Sequence, residues 1–196
     1  MADAAVIFDV DGVLLELTRA EEDAFFAPFE KRFGLSSISR DWNSYKIRND
    51  ENIVEEILER NAIAANEKAA VIRDYLAVLE NRLASSTIET SVVAGAGDLL
   101  ANLHGKIHVG IATANLREAA KLRLEAGNLW NFVSSHAFGA EGGGHKLQIL
   151  CRAIASIAVE KSRIVDVGDN LNCVDDGVAN GVTFIGSLND PKRLRQ

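Results

Sequence analysis

The stretch Ala4-Ala5-Val6-Ile7-Phe8-Asp9-Val10-Asp11-Gly12-Val13-Leu14 decides how the rest of the chain is interpreted. Its apolar first half has the length of a strand, and the unbroken apolar character predicts burial on both faces, as in a parallel sheet. Asp9 and Asp11 then lie at the carboxyl end of the strand, where open α/β sheets bind ligands. A carboxylate there can act as a nucleophile or bind a hard cation, although a strand ending in solvated acids gives the same local pattern.

The segment that follows is helical in pattern and contains no strand signal. Phe25, Phe29 and Phe33 recur every four residues, and two further helices are predicted around residues 50–58 and 72–83. Pro28 lies inside the first of these helices and is expected to kink or interrupt it. Residues 35–49 are predicted to form a polar connection.

From about residue 91 the pattern changes to alternating strands and helices. Strands are predicted at 106–112, 135–138, 163–167 and 182–185, and helices at 96–104, 116–126, 146–158 and 172–180. This alternation predicts right-handed crossovers and a parallel sheet. The fold class is therefore α/β, a three-layer Rossmann-like core with a parallel sheet, formed by residues 1–15 and 91–196. Residues 16–90 are predicted to form a separate, all-helical cap domain.

Four short motifs resemble those of the haloacid dehalogenase-like hydrolases, and specifically their phosphatase branch with a helical cap after the first motif, similar to phosphoglycolate phosphatases. They occur in the family's order, as Phe8–Leu14, Ile111–Asn115, Lys146 after the loop Gly142-Gly143-Gly144-His145, and Val167–Asn170. The resemblance implies that Asp9 is the nucleophile, which would form an aspartyl-phosphate. It implies that Asp11 is the acid and base, and that Lys146 neutralises the nucleophile and the phosphate.

The resemblance also implies a magnesium site and a phosphate-binding loop. Asp9, Asp11 and Asp169 would hold Mg²⁺, which prefers carboxylates, waters and substrate phosphate as ligands. A hydroxyl at a strand end followed by backbone amides can bind a phosphate oxygen, so Thr113, Ala114 and Asn115 are predicted to bind substrate together with Lys146. Capping of the next helix by Thr113 or Asn115 is the structural alternative.

The cap is expected to determine substrate specificity. Tyr45 and Arg48, beside Lys46 and Asn49 in a polar loop between cap helices, are the proposed substrate-binding residues. A merely solvated connection explains the same four residues equally well.

One position departs from the family pattern. Many relatives have a second acid four residues after Asp169, where this chain has Cys173. Magnesium prefers oxygen to a thiol, so Cys173 is not expected to bind it directly. Asp175 or Asp176, which follow closely, could replace the missing acid.

Composition limits the classes of partner. A net charge of −7 argues against a broad nucleic-acid surface. The sequence has no apolar segment long enough to predict a membrane span, and it has no pattern typical of a signal peptide. The two cysteines are far apart in the sequence, which indicates reduced thiols. A cytoplasmic location is therefore expected. The expected state is a monomer or homodimer.

The resulting expectation is a Mg²⁺-dependent phosphatase acting on a small phosphorylated metabolite. A phosphomutase or dehalogenase of the same fold, and a weakly catalytic phosphate-binding or receiver-like protein, are the alternatives. Asp11 favours a phosphatase because dehalogenating relatives lack an acid there, and the helical insert argues against a receiver.

Overall fold

The computed structural model describes residues 3–169 and 180–187. The strands within these ranges are β1 (Ala5–Phe8), β2 (Leu15–Glu16), β3 (Ser91–Val92), β4 (His108–Ala112), β5 (Ala137–Phe138), β6 (Ile164–Gly168) and β7 (Thr183–Gly186). Five of them form a parallel sheet in the order β5-β4-β1-β6-β7. Because β1 is central, Val6 aligns with Val109 on one side and with Val165 on the other.

Helices cover both faces of this sheet. The helices are α1 (Arg19–Phe33), α2 (Asp50–Arg60), α3 (Lys68–Ala84), α4 (Ala96–Leu103), α5 (Arg117–Ala126), α6 (Trp130–Val133) and α7 (Lys146–Ala155). Ile7 of β1 packs in a cluster with Ile149 and Ile154 of α7, whereas Phe8 packs in a cluster with Leu100 and Leu124 on the other face. Successive side chains of β1 are thus buried on opposite sides, and the predicted three-layer α/β class is confirmed.

The inserted segment is helical and contributes no strand to the central sheet. Its helices α1, α2 and α3 enclose a third apolar cluster, which Leu116 and Ala119 at the start of α5 also join. The chain leaves and re-enters the core through the short antiparallel pair β2 and β3, in which Leu15 aligns with Val92. The division into a core of residues 1–15 and 91–196 and a cap of residues 16–90 stays a prediction.

The expected interruption of the first helix at Pro28 is wrong, because α1 continues through this residue, whereas the expected kink there stays a prediction. Proline removes one backbone donor, but Phe25, Phe26 and Phe29 around it are all buried, and this packing maintains the helix. The helix ends instead at Gly34, whose φ of 68° is a left-handed cap.

Some expectations fall outside the described part of the chain. The predicted helix at 172–180 belongs almost entirely to this segment, as do Cys173, Asp175, Asp176 and Asn170. Within residues 3–169 and 180–187, no helix has both the length and the apolar character needed to cross a bilayer.

Candidate active site

The site is built around Asp9, the first residue after β1. Its backbone N–H donates to the Val167 carbonyl at 2.8 Å, which extends the pairing of β1 with β6 by one residue. Its carboxylate Oδ1 accepts from the Val10 backbone N–H at 2.8 Å, and Lys146 Nζ donates to Oδ2. Lys146 is the first residue of α7, so the fold brings two residues 137 positions apart into direct contact.

The charge of Asp9 is controlled by its surroundings. Burial raises the pKa of Asp9 above its ordinary value, and the nearby negative charges of Asp11 and Asp169 act in the same direction. The Lys146 ammonium opposes them by its charge and its hydrogen bond. The Lys146 ammonium thus favours the ionised form of Asp9 and offsets part of the effect of burial.

Asp11 lies on a tight turn that leaves the sheet. Gly12 has a φ of 76°, which a residue with a side chain adopts only with strain, and its N–H donates to the Leu15 carbonyl at 2.8 Å. The Asp11 carboxylate accepts from Arg123 Nη2 at 2.7 Å. Asp11 is therefore held by a cation of its own, distinct from the lysine at Asp9.

Arg123 joins three parts of the site and was missed at the sequence level. It is only 2% exposed, and besides Asp11 it donates from Nε to Glu21 Oε1 at 2.7 Å and from Nη1 to Asn115 Oδ1 at 3.0 Å. The local signal was present, because Ala119, Ala120 and Arg123 share the buried stripe of α5. A charged residue on an apolar helical stripe indicates a buried ion pair.

The second predicted motif follows β4 at the same edge of the sheet. Thr113 is buried, and its Oγ1 accepts from the Asn115 backbone N–H at 3.2 Å. Helix α5 begins only at Arg117 and has no side-chain cap, so neither Thr113 nor Asn115 caps it. The backbone is packed tightly here, because a Cβ on Gly139 would lie 2.7 Å from the Asn115 carbonyl oxygen.

The start of α2 connects the helical insert to both loops of the core. On one side, Asn49 Nδ2 donates to the Gly144 carbonyl at 2.5 Å, while the Gly143 N–H donates to Glu51 at 2.8 Å. On the other side, the Asp50 backbone N–H donates to the Ala114 carbonyl at 2.9 Å. These contacts place the insert directly over the loops that contain the second and third motifs.

Asp50 is a buried carboxylate in this connection. Its Oδ2 accepts from the Leu116 backbone N–H at 2.8 Å. Burial raises the pKa of Asp50 to about 7, and Asp11 adds to the effect, whereas the Leu116 hydrogen bond and Arg123 oppose it. Asp50 is thus divided between its neutral and charged forms near neutral pH.

Stability should therefore depend on pH through Asp50. Between about pH 4 and pH 7 the folded protein holds a proton that the unfolded chain, with a pKa of 3.8, has already released. The contribution of Asp50 to the free energy of unfolding consequently falls as pH rises through that window. Asp50→Asn should stabilise the protein by on the order of a few kcal/mol at pH 8 and by much less at pH 5.

Urea denaturation at the two pH values checks this expectation. Asp98→Asn, an exposed aspartate on α4, serves as the control and should behave like the wild type. Equal effects of Asp50→Asn at pH 5 and pH 8 would show that Asp50 is charged throughout this range.

The predicted metal ligands lie near one another but do not form a metal-binding cluster. Asp169 directly follows β6, is buried, and acts electrostatically on Asp9. Among residues 3–169 and 180–187, no group of three His, Cys, Asp or Glu side chains is arranged to hold a metal ion. The donors are nevertheless all carboxylate oxygens, so their chemistry fits Mg²⁺. In this arrangement Asp9 is paired with Lys146, and Asp11 with Arg123.

A partly open cavity of about 170 Å³ lies between the insert and the core, beside Asp11. Of the cap residues proposed from the sequence, Arg48 lines it and Tyr45 does not. The Tyr45 hydroxyl donates instead to the Ser39 carbonyl at 2.6 Å, within the insert. Asn115 and Ala114 line the cavity from the core side, together with Arg123. We call this cavity the chamber.

Comparison with solved structures gives the fold an independent context. CbbY from Rhodobacter sphaeroides, solved in complex with phosphate, has 20% sequence identity and a TM-score of 0.77, over 95% of this chain and 86% of CbbY. Another CbbY structure contains xylulose-(1,5)-bisphosphate. A hydrolase from Pseudomonas syringae matches at 16% identity and a TM-score of 0.71, over 98% of this chain and 89% of its own. At these identities the likeness shows the fold alone.

Family membership follows from a sequence-level match. No curated protein matches the chain. The family model described as haloacid dehalogenase-like hydrolase matches residues 4–175, which include all four motifs and the helical insert. The predicted resemblance is confirmed, and the chain belongs to the haloacid dehalogenase-like hydrolases.

Proposed function

We propose that this hydrolase is a Mg²⁺-dependent phosphatase that cleaves a small phosphate monoester through an aspartyl-phosphate on Asp9. The observation that carries the proposal is the contact of Lys146 Nζ with the Asp9 carboxylate at the tip of the central strand, with Asp11 two residues further on. A carboxylate nucleophile, a neutralising cation and a second acid are the groups that phosphoryl transfer requires.

Each of these residues has a defined chemical task. Asp9 Oδ attacks phosphorus, and the bond to the leaving oxygen breaks as Asp11 donates a proton to it. Asp11 then takes a proton from the water that attacks the aspartyl-phosphate, which releases inorganic phosphate and regenerates Asp9. Lys146 favours the ionised form of Asp9 and offsets the phosphate charge, and Thr113, Ala114 and Asn115 bind the phosphate oxygens.

Magnesium completes the charge balance. Asp9, Asp11 and Asp169 would hold Mg²⁺, which when bound supplies positive charge against the phosphate oxygens. The oxygen-only donor set supports this assignment. The phosphate in the CbbY structure supports a phosphate ligand for a chain of the same fold.

The alternatives differ in what they do with the phosphoryl group. The family match removes the receiver-like interpretation. A phosphomutase would return the phosphoryl group to a sugar acceptor instead of to water, and a dehalogenase would release halide and no phosphate.

Release of inorganic phosphate from an aryl phosphate tests the proposal. We expect turnover with Mg²⁺ and its loss in EDTA, with recovery when Mg²⁺ is restored. Lys146→Ala should lower kcat/KM by roughly 10²–10³-fold, because a preorganised positive group at the transferring phosphate is removed.

Lys161→Ala is the matched control for this experiment. Lys161 is exposed in a short 3-10 turn before β6, so its loss should leave kcat/KM unchanged. Equal activity of the two variants would remove Lys146 from the mechanism, and activity that EDTA does not affect would remove Mg²⁺.

A further inference from the structure

The chamber lies beside Asp11 between residues of the cap and of the core, and its position fits the leaving group. In the proposed function Asp11 protonates the leaving oxygen, so the organic part of the substrate must extend past Asp11. The far wall consists of buried cap residues, including Asn49, Asp50 and Ile53. The structure therefore allows the leaving group to be characterised by the size and charge of this chamber.

The size of the chamber restricts the leaving group strongly. Pockets for drug-sized ligands occupy ~300–1,000 Å³, whereas the chamber has about 170 Å³. This volume favours an alcohol of two to four carbons over a nucleoside.

The charge of the chamber disfavours an anionic leaving group. Its lining contains four acids, which are Asp11, Glu21, Glu22 and Asp50, and only two cations. One of the cations, Arg123, is already bonded to Glu21 and Asp11. The other, Arg48, is exposed and donates to Asn43 Oδ1 at 2.8 Å. A carboxylate or a second phosphate on the substrate would thus face an excess of acids over cations in the lining, with Arg48 rather than Arg123 as its counter-charge.

The same acids already accept hydrogen bonds from the protein, so they do not require a cation on the substrate. Trp42 Nε1 donates to Glu22 Oε1 at 2.9 Å, and the Leu116 N–H donates to Asp50. The chamber also includes the phenol of Tyr75, whose pKa is raised well above its ordinary value by burial, so that it stays a neutral hydroxyl. The amides of Asn49 and Asn115 and the Tyr75 hydroxyl lie among the apolar side chains of Leu17, Phe25, Trp42 and Ile53, a lining that suits an uncharged alcohol.

We propose that the substrate is the phosphate monoester of an uncharged, hydroxylated alcohol of two to four carbons, with neither a carboxylate nor a second phosphate. This inference rests on the proposed function and assigns its substrate class. It separates the chain from enzymes that act on phosphoglycolate, whose leaving group carries a carboxylate.

Matched pairs of esters test the charge assignment. Glycerol 3-phosphate and 3-phosphoglycerate differ only in a hydroxymethyl group against a carboxylate, and 2-hydroxyethyl phosphate and phosphoglycolate differ in the same way. With Mg²⁺ present, kcat/KM should favour the uncharged member of each pair by at least roughly tenfold, because like charges juxtaposed in a site are costly. AMP and xylulose 1,5-bisphosphate should be poorer substrates than glycerol 3-phosphate.

A variant of the chamber wall sharpens the test. Glu22→Gln keeps an acceptor for Trp42 but removes one negative charge, so it should improve kcat/KM for 3-phosphoglycerate relative to glycerol 3-phosphate by roughly fivefold. Glu30→Gln lies on the exposed face of the same helix and should leave the ratio unchanged.

Calorimetric binding to Asp9→Asn with Mg²⁺ separates the substrate class from the reaction. If no ester is hydrolysed, the proposed function fails, and the binding order of glycerol 3-phosphate and 3-phosphoglycerate still decides the class. Equal or tighter binding of 3-phosphoglycerate would overturn the inference. A preference for phosphoethanolamine over 2-hydroxyethyl phosphate would overturn it as well, in favour of a cationic leaving group.

Discussion

Asp9→Asn is expected to abolish phosphate release while the protein remains folded. A neutral amide cannot attack phosphorus to form the covalent intermediate, so kcat should fall to background. The fold should persist because burial disfavours the charged carboxylate of Asp9, and the amide oxygen can still accept from Val10. Phosphate release and thermal unfolding of the same preparation measure both expectations.

The control for this variant is Asp98→Asn, the same exchange at an exposed position of α4. It should match the wild type in both measurements. Retention of wild-type turnover by Asp9→Asn would mean that another residue is the nucleophile. Loss of the folded state instead would make Asp9 a structural requirement of the strand end.

Arg123→Met should cost both stability and activity. Methionine approximates the length of the side chain, but it leaves the Glu21 carboxylate, which is 3% exposed, without its cation. Breaking a buried pair by removing one partner typically costs ~3–5 kcal/mol in the free energy of unfolding. Asp11 also loses the group that orients it. Turnover should therefore fall by up to ~10²–10⁴-fold, which is the typical contribution of general acid–base catalysis.

Second variants separate the two effects of Arg123. Adding Glu21→Gln to Arg123→Met should recover part of the stability, because the uncompensated charge is gone, but it should not recover turnover. Arg123→Lys should fail to restore turnover fully, because an ammonium cannot reproduce the three-partner geometry of the guanidinium. Arg73→Met, exposed on α3, should change the free energy of unfolding by less than about 0.5 kcal/mol. Full recovery of turnover in the double variant would limit Arg123 to a structural role.

Local patterns in the sequence were sufficient to predict the parallel sheet and the positions at which its strands end. The apolar run before Asp9 predicted a strand buried on both faces, and β1 is central in the sheet with clusters on either side. Helix α5 was expected at residues 116–126 and is observed at Arg117–Ala126. These features depend on residues close together in the chain, so hydrophobic periodicity and helix-breaking residues are enough to predict them.

Contacts between distant parts of the chain were not predictable in the same way. Arg123 meets Glu21 and Asp11 across 102 and 112 residues, and no local pattern indicates which acids a buried arginine will find. Tyr45 is a further example, because its position in a polar loop did not reveal that its hydroxyl donates to the Ser39 carbonyl; its role in substrate binding stays a prediction. Pro28 was judged by its backbone alone, whereas the aromatic packing around it maintains the helix.

The catalytic roles of Asp9, Asp11 and Lys146 came from motif resemblance, and the structure adds the contacts through which they would act. The sequence indicated that the acids end a strand and, through the resemblance, that Lys146 neutralises Asp9, but not that Asp11 has Arg123 as a cation of its own. The question raised by Cys173, and by Asp175 and Asp176 as replacements for the usual acid, concerns residues outside the described ranges.

Mass spectrometry of the acid-quenched enzyme during turnover tests the central claim most directly. Samples quenched early in the reaction with Mg²⁺ and glycerol 3-phosphate should contain a phosphoryl group on the peptide that includes Asp9, and fragmentation should place it on the Asp9 carboxylate. The adduct should be absent from Asp9→Asn and should decay when substrate is exhausted. Steady phosphate release with no phosphoryl group on Asp9, or with the group on a different residue, would contradict the account.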